Sequence, residues 1–191
     1  MKTKSIENKS KTLNRHETKK PVHGTGLMDG VLKDLLALLV KVGIIVGVII
    51  LLFIFIFGVF RFLDDSMSPA LENGDLVFYY RLDKNYVAND TLVYEYKGEK
   101  QARRVVAVEG DTVDIKNNSL YINGSRQQES WIYTDTERYD TDVDFPMKLE
   151  KDEVFVLGDN RKIGADSRVY GALNRKDTLG KVKIILRRRG I

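Results

Sequence analysis

Four short patches concentrate the residues able to do chemistry. The first is Ser66-Met67-Ser68-Pro69-Ala70-Leu71 and the second Glu72-Asn73-Gly74-Asp75-Leu76-Val77. The third is Arg103-Arg104-Val105-Val106-Ala107-Val108-Glu109-Gly110-Asp111-Thr112-Val113. The fourth is Gly158-Asp159-Asn160-Arg161, followed by Asp166-Ser167-Arg168 and Gly171. A serine hydroxyl attacks a carbonyl only when a base takes its proton. The two histidines, His16 and His23, both precede an uncharged run at Val42–Phe60. If that run spans a bilayer, a Ser-His-Asp triad is excluded by topology. With no cysteine in the chain there is no thiol nucleophile, disulfide framework or thiolate metal site. No metal or organic cofactor is suggested.

The uncharged run has 19 residues, about 28 Å as a helix and close to the hydrocarbon thickness of a bilayer. A core helix of that length would show a polar face, and this run shows none. Arg61-Phe62-Leu63-Asp64-Asp65 is not the small-x-small site of a cleaved leader. The run therefore reads as an uncleaved transmembrane anchor, with the lipid bilayer as partner. Residues 1–41 carry nine Lys/Arg against four Asp/Glu, and the rest of the chain 22 against 23. The basic tail is expected in the cytoplasm and the C-terminal domain outside the membrane. The near-neutral domain gives no ground for a nucleic-acid partner. Residues 1–25, poor in apolar side chains, are expected to be disordered, and residues 31–41 to be helical. The expected organisation is a tail over 1–41, a span over 42–60 and an extracytoplasmic domain over 61–191.

The domain reads as mainly β. Leu76–Tyr80, Leu92–Tyr96, Arg104–Val108, Thr112–Ile115, Leu120–Ile122, Val154–Leu157 and Lys181–Leu186 are short β-branched or aromatic runs. Turn signals at Asn73-Gly74-Asp75, Gly110-Asp111, Asn123-Gly124 and Gly158-Asp159-Asn160 separate them. Asn123-Gly124 is the strongest hairpin signal. No long helix is expected after residue 61. Residues 125–150 are polar and acidic and read as an inserted loop or hairpin, in which Trp131, Tyr133 and Tyr139 are either core or contact surface. Arg187-Arg188-Arg189 reads as a solvated tail, with anionic headgroups as the alternative contact.

The order and spacing of the four patches, just beyond one outward-facing span, resemble the bacterial type I signal peptidases (leader peptidases). The resemblance runs from the anchor to about Gly180 and is closest to the single-span, short-domain Gram-positive members. It implies a signal-peptidase-type β domain, and it separates the chain from the soluble Ser-Lys self-cleaving repressors, which carry a DNA-binding domain. In that family the serine of a Ser-Met-x-Pro motif attacks the peptide, and Ser66 fits that nucleophile. Met67 and Leu71 match positions that line the pocket for the small residue before the cleaved bond. Asp159, Asn160, Arg161, Asp166 and Arg168 match residues that build the site. The implied partners are signal peptides or exported precursors, met by a tethered protein at the membrane surface.

The family's base is a lysine at the position of Arg103. A guanidinium has no accessible neutral form and no acceptor lone pair, so Arg103 cannot take the serine proton. Lys100 lies at an odd offset from Arg103, on the opposite face of a strand, and Lys162 lies in the fourth patch; these are the remaining candidate bases. Gly164 stands where the family has a serine that holds the lysine. Asp64 stands where members often carry Ser or Gly beside the oxyanion hole, and a carboxylate there opposes the developing charge. These read as three independent departures around one intact shell. They favour a non-catalytic relative that binds exported precursors, such as the signal-peptidase-like proteins of Gram-positive pilus clusters. The competing reading is an active signal peptidase, a serine endopeptidase using Ser66 with an unusual base.

Overall fold

The computed structural model describes residues 25–187 and divides the chain into two compact units, Met1–Gly47 and Val48–Ile191. The expectations for residues 1–24, including His16, His23 and the disordered tail, lie outside the described residues, as do Arg188 and Arg189. Helix α1 runs over Thr25–Ile56. Within it Gly30–Ile56 is long and apolar enough to cross a membrane, as a single-pass anchor requires.

The second unit is mainly β. Its strands are β1 (Phe57–Arg61), β2 (Leu76–Tyr80), β3 (Thr91–Tyr96), β4 (Glu99–Val108), β5 (Thr112–Lys116), β6 (Ser119–Ile122), β7 (Ser125–Arg126), β8 (Met147–Lys148), β9 (Glu153–Leu157), β10 (Leu173–Asn174) and β11 (Thr178–Leu186). One short helix, α2 (Ser167–Tyr170), precedes β10. The larger sheet has the order β1-β2-β11-β3-β4-β9-β10 and the smaller β7-β6-β5-β8.

Helix α1 ends at Ile56, and Phe57–Phe60, assigned above to the apolar span, belong to β1. An uninterrupted apolar run carries no polar period to mark where a helix stops. Pairing with β2 takes up the backbone, and Gly58, opposite Tyr79, leaves room for the Tyr79 ring where any Cβ would collide. Asn123-Gly124 makes the expected two-residue turn between β6 and β7, both residues having positive φ. Lys97-Gly98 and Asn117-Asn118 make turns of the same kind. The inserted segment is not a hairpin: β7 pairs with β6, β8 pairs with β5, and irregular chain joins them.

Three apolar clusters fill the unit. Phe62, Met67, Leu71, Val77, Tyr79, Val93 and Ala102 form the one beneath Ser66. Tyr86, Leu92, Tyr94, Val105, Val154 and Val156 form a second. The third joins the two sheets through Ala107, Val113, Leu120 and Phe155. Burial pushes the Tyr86 hydroxyl up to about 12, its hydrogen bond with Thr178 opposing the shift. The folded protein thus holds this proton to higher pH than the unfolded chain, where tyrosine titrates near 10. The stability it contributes is complete below pH ~10 and is lost as pH rises towards about 12. Thermal unfolding should show a melting temperature that drops over this range, with a smaller drop in Tyr86→Phe.

Candidate functional site

Ser66 lies in the turn that follows β1, where Ser68 N donates to Asp65 O (3.1 Å) and Leu71 N to Met67 O (2.9 Å). This loop is braced from two sides. The Ser66 carbonyl accepts from Asn160 N at 2.9 Å. The Arg187 guanidinium donates to the carbonyls of Pro69 (3.2 Å) and Ala70 (3.1 Å) and to Asp75 Oδ2. Arg187, though exposed, therefore braces the loop.

Ser66 is only 1% exposed. Its backbone N–H donates to Asp64 Oδ1 at 2.8 Å, and its hydroxyl donates to the same oxygen. Asp64 Oδ2 lies 4.0 Å from Arg103 NH1. Arg103, on β4, is 2% exposed and donates from Nε to Ala165 O (3.0 Å) and from NH1 to Ala102 O (2.6 Å). Behind it the hydroxyls of Tyr94 and Tyr170 are hydrogen-bonded at 2.5 Å. Burial holds both phenols above their usual range, and the Arg103 charge opposes that shift. They stay neutral beside the cation.

Gly164 has φ +85°, and a Cβ there would lie 2.7 Å from Ser66 Cβ and 2.8 Å from Arg103 NH2. The guanidinium and a side chain at 164 would compete for one space. The departures at 103 and 164 are thus sterically coupled, not independent. Lys100 and Lys162 are both exposed. The register from Glu95↔Lys100 to Leu92↔Arg103 is regular, which keeps Lys100 on the face opposite Arg103. Among the described residues neither ammonium contacts Ser66.

The other expected site residues form a charged framework. Arg104 grips Asp159 with two bonds of 2.7 and 2.5 Å. Asp166 takes Arg168 Nε at 2.9 Å and NH2 at 2.8 Å, and both residues are fully buried. Arg161 donates to Gly158 O (2.8 Å), to Glu129 (2.5 Å) and to Thr136 Oγ1. Glu129, Thr136 and Tyr139, whose ring lies under the Arg168 guanidinium at 4.1 Å, fasten the inserted segment to this framework. Trp131 and Tyr133 are exposed instead. Met67 and Leu71, expected at a substrate pocket, are buried in the cluster beneath Ser66. The open cleft beside Asp64, about 420 Å³, is lined by Phe60–Asp64 and Glu99–Gln101. Among the described residues no three His, Cys, Asp or Glu side chains are placed to hold a metal ion.

The profile of the family described as signal peptidase, peptidase S26, matches residues 35–187. The chain belongs to this family. Signal peptidase I P of Bacillus subtilis subsp. natto is 32% identical over 143 residues, 69% of this chain and 77% of its own. Signal peptidase I S of Bacillus subtilis is 32% identical over 156 residues, 74% of this chain and 84% of its own. Signal peptidase IB of Staphylococcus aureus is 27% identical over 168 residues, 78% of this chain and 88% of its own. A crystal structure of a signal peptidase I from Enterococcus faecalis, 24% identical, covers 52% of this chain and 97% of its own, with a TM-score of 0.45.

A buried pair that loses one partner leaves an uncompensated charge, at a cost of about 3–5 kcal/mol, whereas an exposed pair contributes under about 1. Asp166→Ala should cost stability of that larger size, and Lys183→Ala, at the rim beside Asp83, almost none. Urea unfolding of the full-length protein in detergent measures both.

Proposed function

We propose that this member of the signal peptidase family is non-proteolytic. It is anchored with its N-terminus in the cytoplasm and holds the signal peptides of exported precursors at the outer membrane surface. It acts there as an accessory in assembling exported proteins, with pilus proteins of Gram-positive bacteria as the specific case. The observation that carries the reading is the buried Arg103. By resemblance it holds the position of the family's base, yet it has no lone pair to offer and its Nε and NH1 are committed to two carbonyls. The intact framework of Asp159, Asn160, Arg161, Asp166 and Arg168 supports a site kept for its shape. The cleft beside Asp64 supports an extended peptide as occupant, since the β4 segment Glu99–Gln101 that lines it offers backbone groups to such a chain.

The retained Ser66 favours a second reading, an active signal peptidase that recruits another base. Lys100 and Lys162 are exposed and would have to move to reach it.

The test is genetic. In cells lacking this protein, Ser66→Ala should restore export and assembly as fully as the wild type does. A photo-crosslinker at Leu63 should capture precursors that still carry their signal peptides. Failure of Ser66→Ala to complement, with the variant present at normal levels, would establish the peptidase reading instead.

A further inference from the structure

The backbone N–H of a nucleophilic serine ordinarily serves the oxyanion of the reacting carbonyl. In this chain that N–H is taken. Asp64 Oδ1 accepts it at 2.8 Å and accepts the Ser66 hydroxyl as well, so both donors of Ser66 converge on one carboxylate oxygen. The other oxygen faces Arg103 at 4.0 Å. This is the arrangement a trapped oxyanion would have: negative oxygen on the backbone donor, with a cation behind it. Asp64 is half-buried and lines the cleft shared with Phe60, Leu63, Lys100 and Gln101.

We propose that Asp64 is an internal occupant of the oxyanion hole, holding the place of a substrate carbonyl oxygen. The proposal builds on the reading of the cleft as a signal-peptide site and adds a second block, separate from the missing base. It also gives Arg103 a role. A permanent cation lies 4.0 Å from this carboxylate, and arginine is one at every accessible pH. A lysine at 103 would be held in its charged form by the same carboxylate, and a charged amine accepts no proton. Restoring the amine alone therefore leaves Ser66 inert, and Asp64 must go as well.

A peptide aldehyde of Ala-x-Ala sequence, 13C-labelled at its carbonyl, reads both conditions. In the adduct the Ser66 Oγ–C bond forms and the hydroxyl proton passes to the former aldehyde oxygen, with no change of oxidation state. Full-length protein in detergent is compared as wild type, Arg103→Lys, and Arg103→Lys with Asp64→Gly, using the matching peptide alcohol to read occupancy of the cleft alone. The hemiacetal resonance is expected only in the double variant, which should bind the aldehyde at least about tenfold more tightly than the alcohol. The resonance in Arg103→Lys alone would overturn the proposal. So would its absence from a double variant that binds the alcohol as the wild type does.

A ligand-free measurement decides the point should no variant bind the alcohol, a result that would count against the signal-peptide reading itself. Exchange of the Ser66 amide should quicken by about tenfold in Asp64→Gly. The amide of Phe62, bonded to Asp75 O at 2.9 Å, should be unchanged as the control for folding. An unchanged Ser66 rate would overturn the role given to Asp64.

Discussion

Three guanidinium groups, those of Arg103, Arg161 and Arg168, lie fully buried around one serine. A charge taken out of water must be met by oxygen atoms inside the protein. Arg168 meets Asp166 along two parallel bonds, and Arg161 meets Glu129, Thr136 and a main-chain carbonyl. These pairings fasten the inserted segment to the loop that carries Asn160, and Asn160 N in turn holds the carbonyl of Ser66. The Ser66 carbonyl is thus held through ionic contacts that do not involve its hydroxyl.

Arg103 differs from the other two. Its bonds go to two carbonyls, and the nearest anionic oxygen, on Asp64, is 4.0 Å away. Arg103 has no lone pair with which to take a proton from Ser66, and the acceptor on the Ser66 hydroxyl is the Asp64 carboxylate. Asp64 accepts the serine hydroxyl, Arg103 offsets the Asp64 charge, and Gly164 makes room for Arg103. Arg103 thus neighbours both Asp64 and the space left open at Gly164.

Much of this was legible in the sequence. The apolar anchor, the β character of the domain and the Asn123-Gly124 turn followed from composition and local turn chemistry. The fourth patch supplied Asn160, whose N–H bonds the Ser66 carbonyl from nearly a hundred residues away, whereas Asp64 and Gly164, which crowd Ser66, lie outside the four patches. Strand β1 was not legible, because Phe57–Phe60 are as apolar as the helix before them and only pairing with β2 distinguishes them. The turns at Lys97-Gly98 and Asn117-Asn118 carry weaker sequence signals than Asn-Gly or Gly-Asp pairs. The role of Arg187 in bracing the Ser66 loop depends on contacts more than a hundred residues away in sequence, which no local pattern encodes. The same holds for the steric link between Arg103 and Gly164.

The most direct test of the central claim is cleavage of a preprotein with an Ala-x-Ala site by the purified full-length protein in lipid, run beside Ser66→Ala. The account predicts that wild type and variant are equally inert, both being folded. Cleavage by the wild type that disappears in Ser66→Ala would contradict it, and would mean that some group other than Arg103 takes the serine proton.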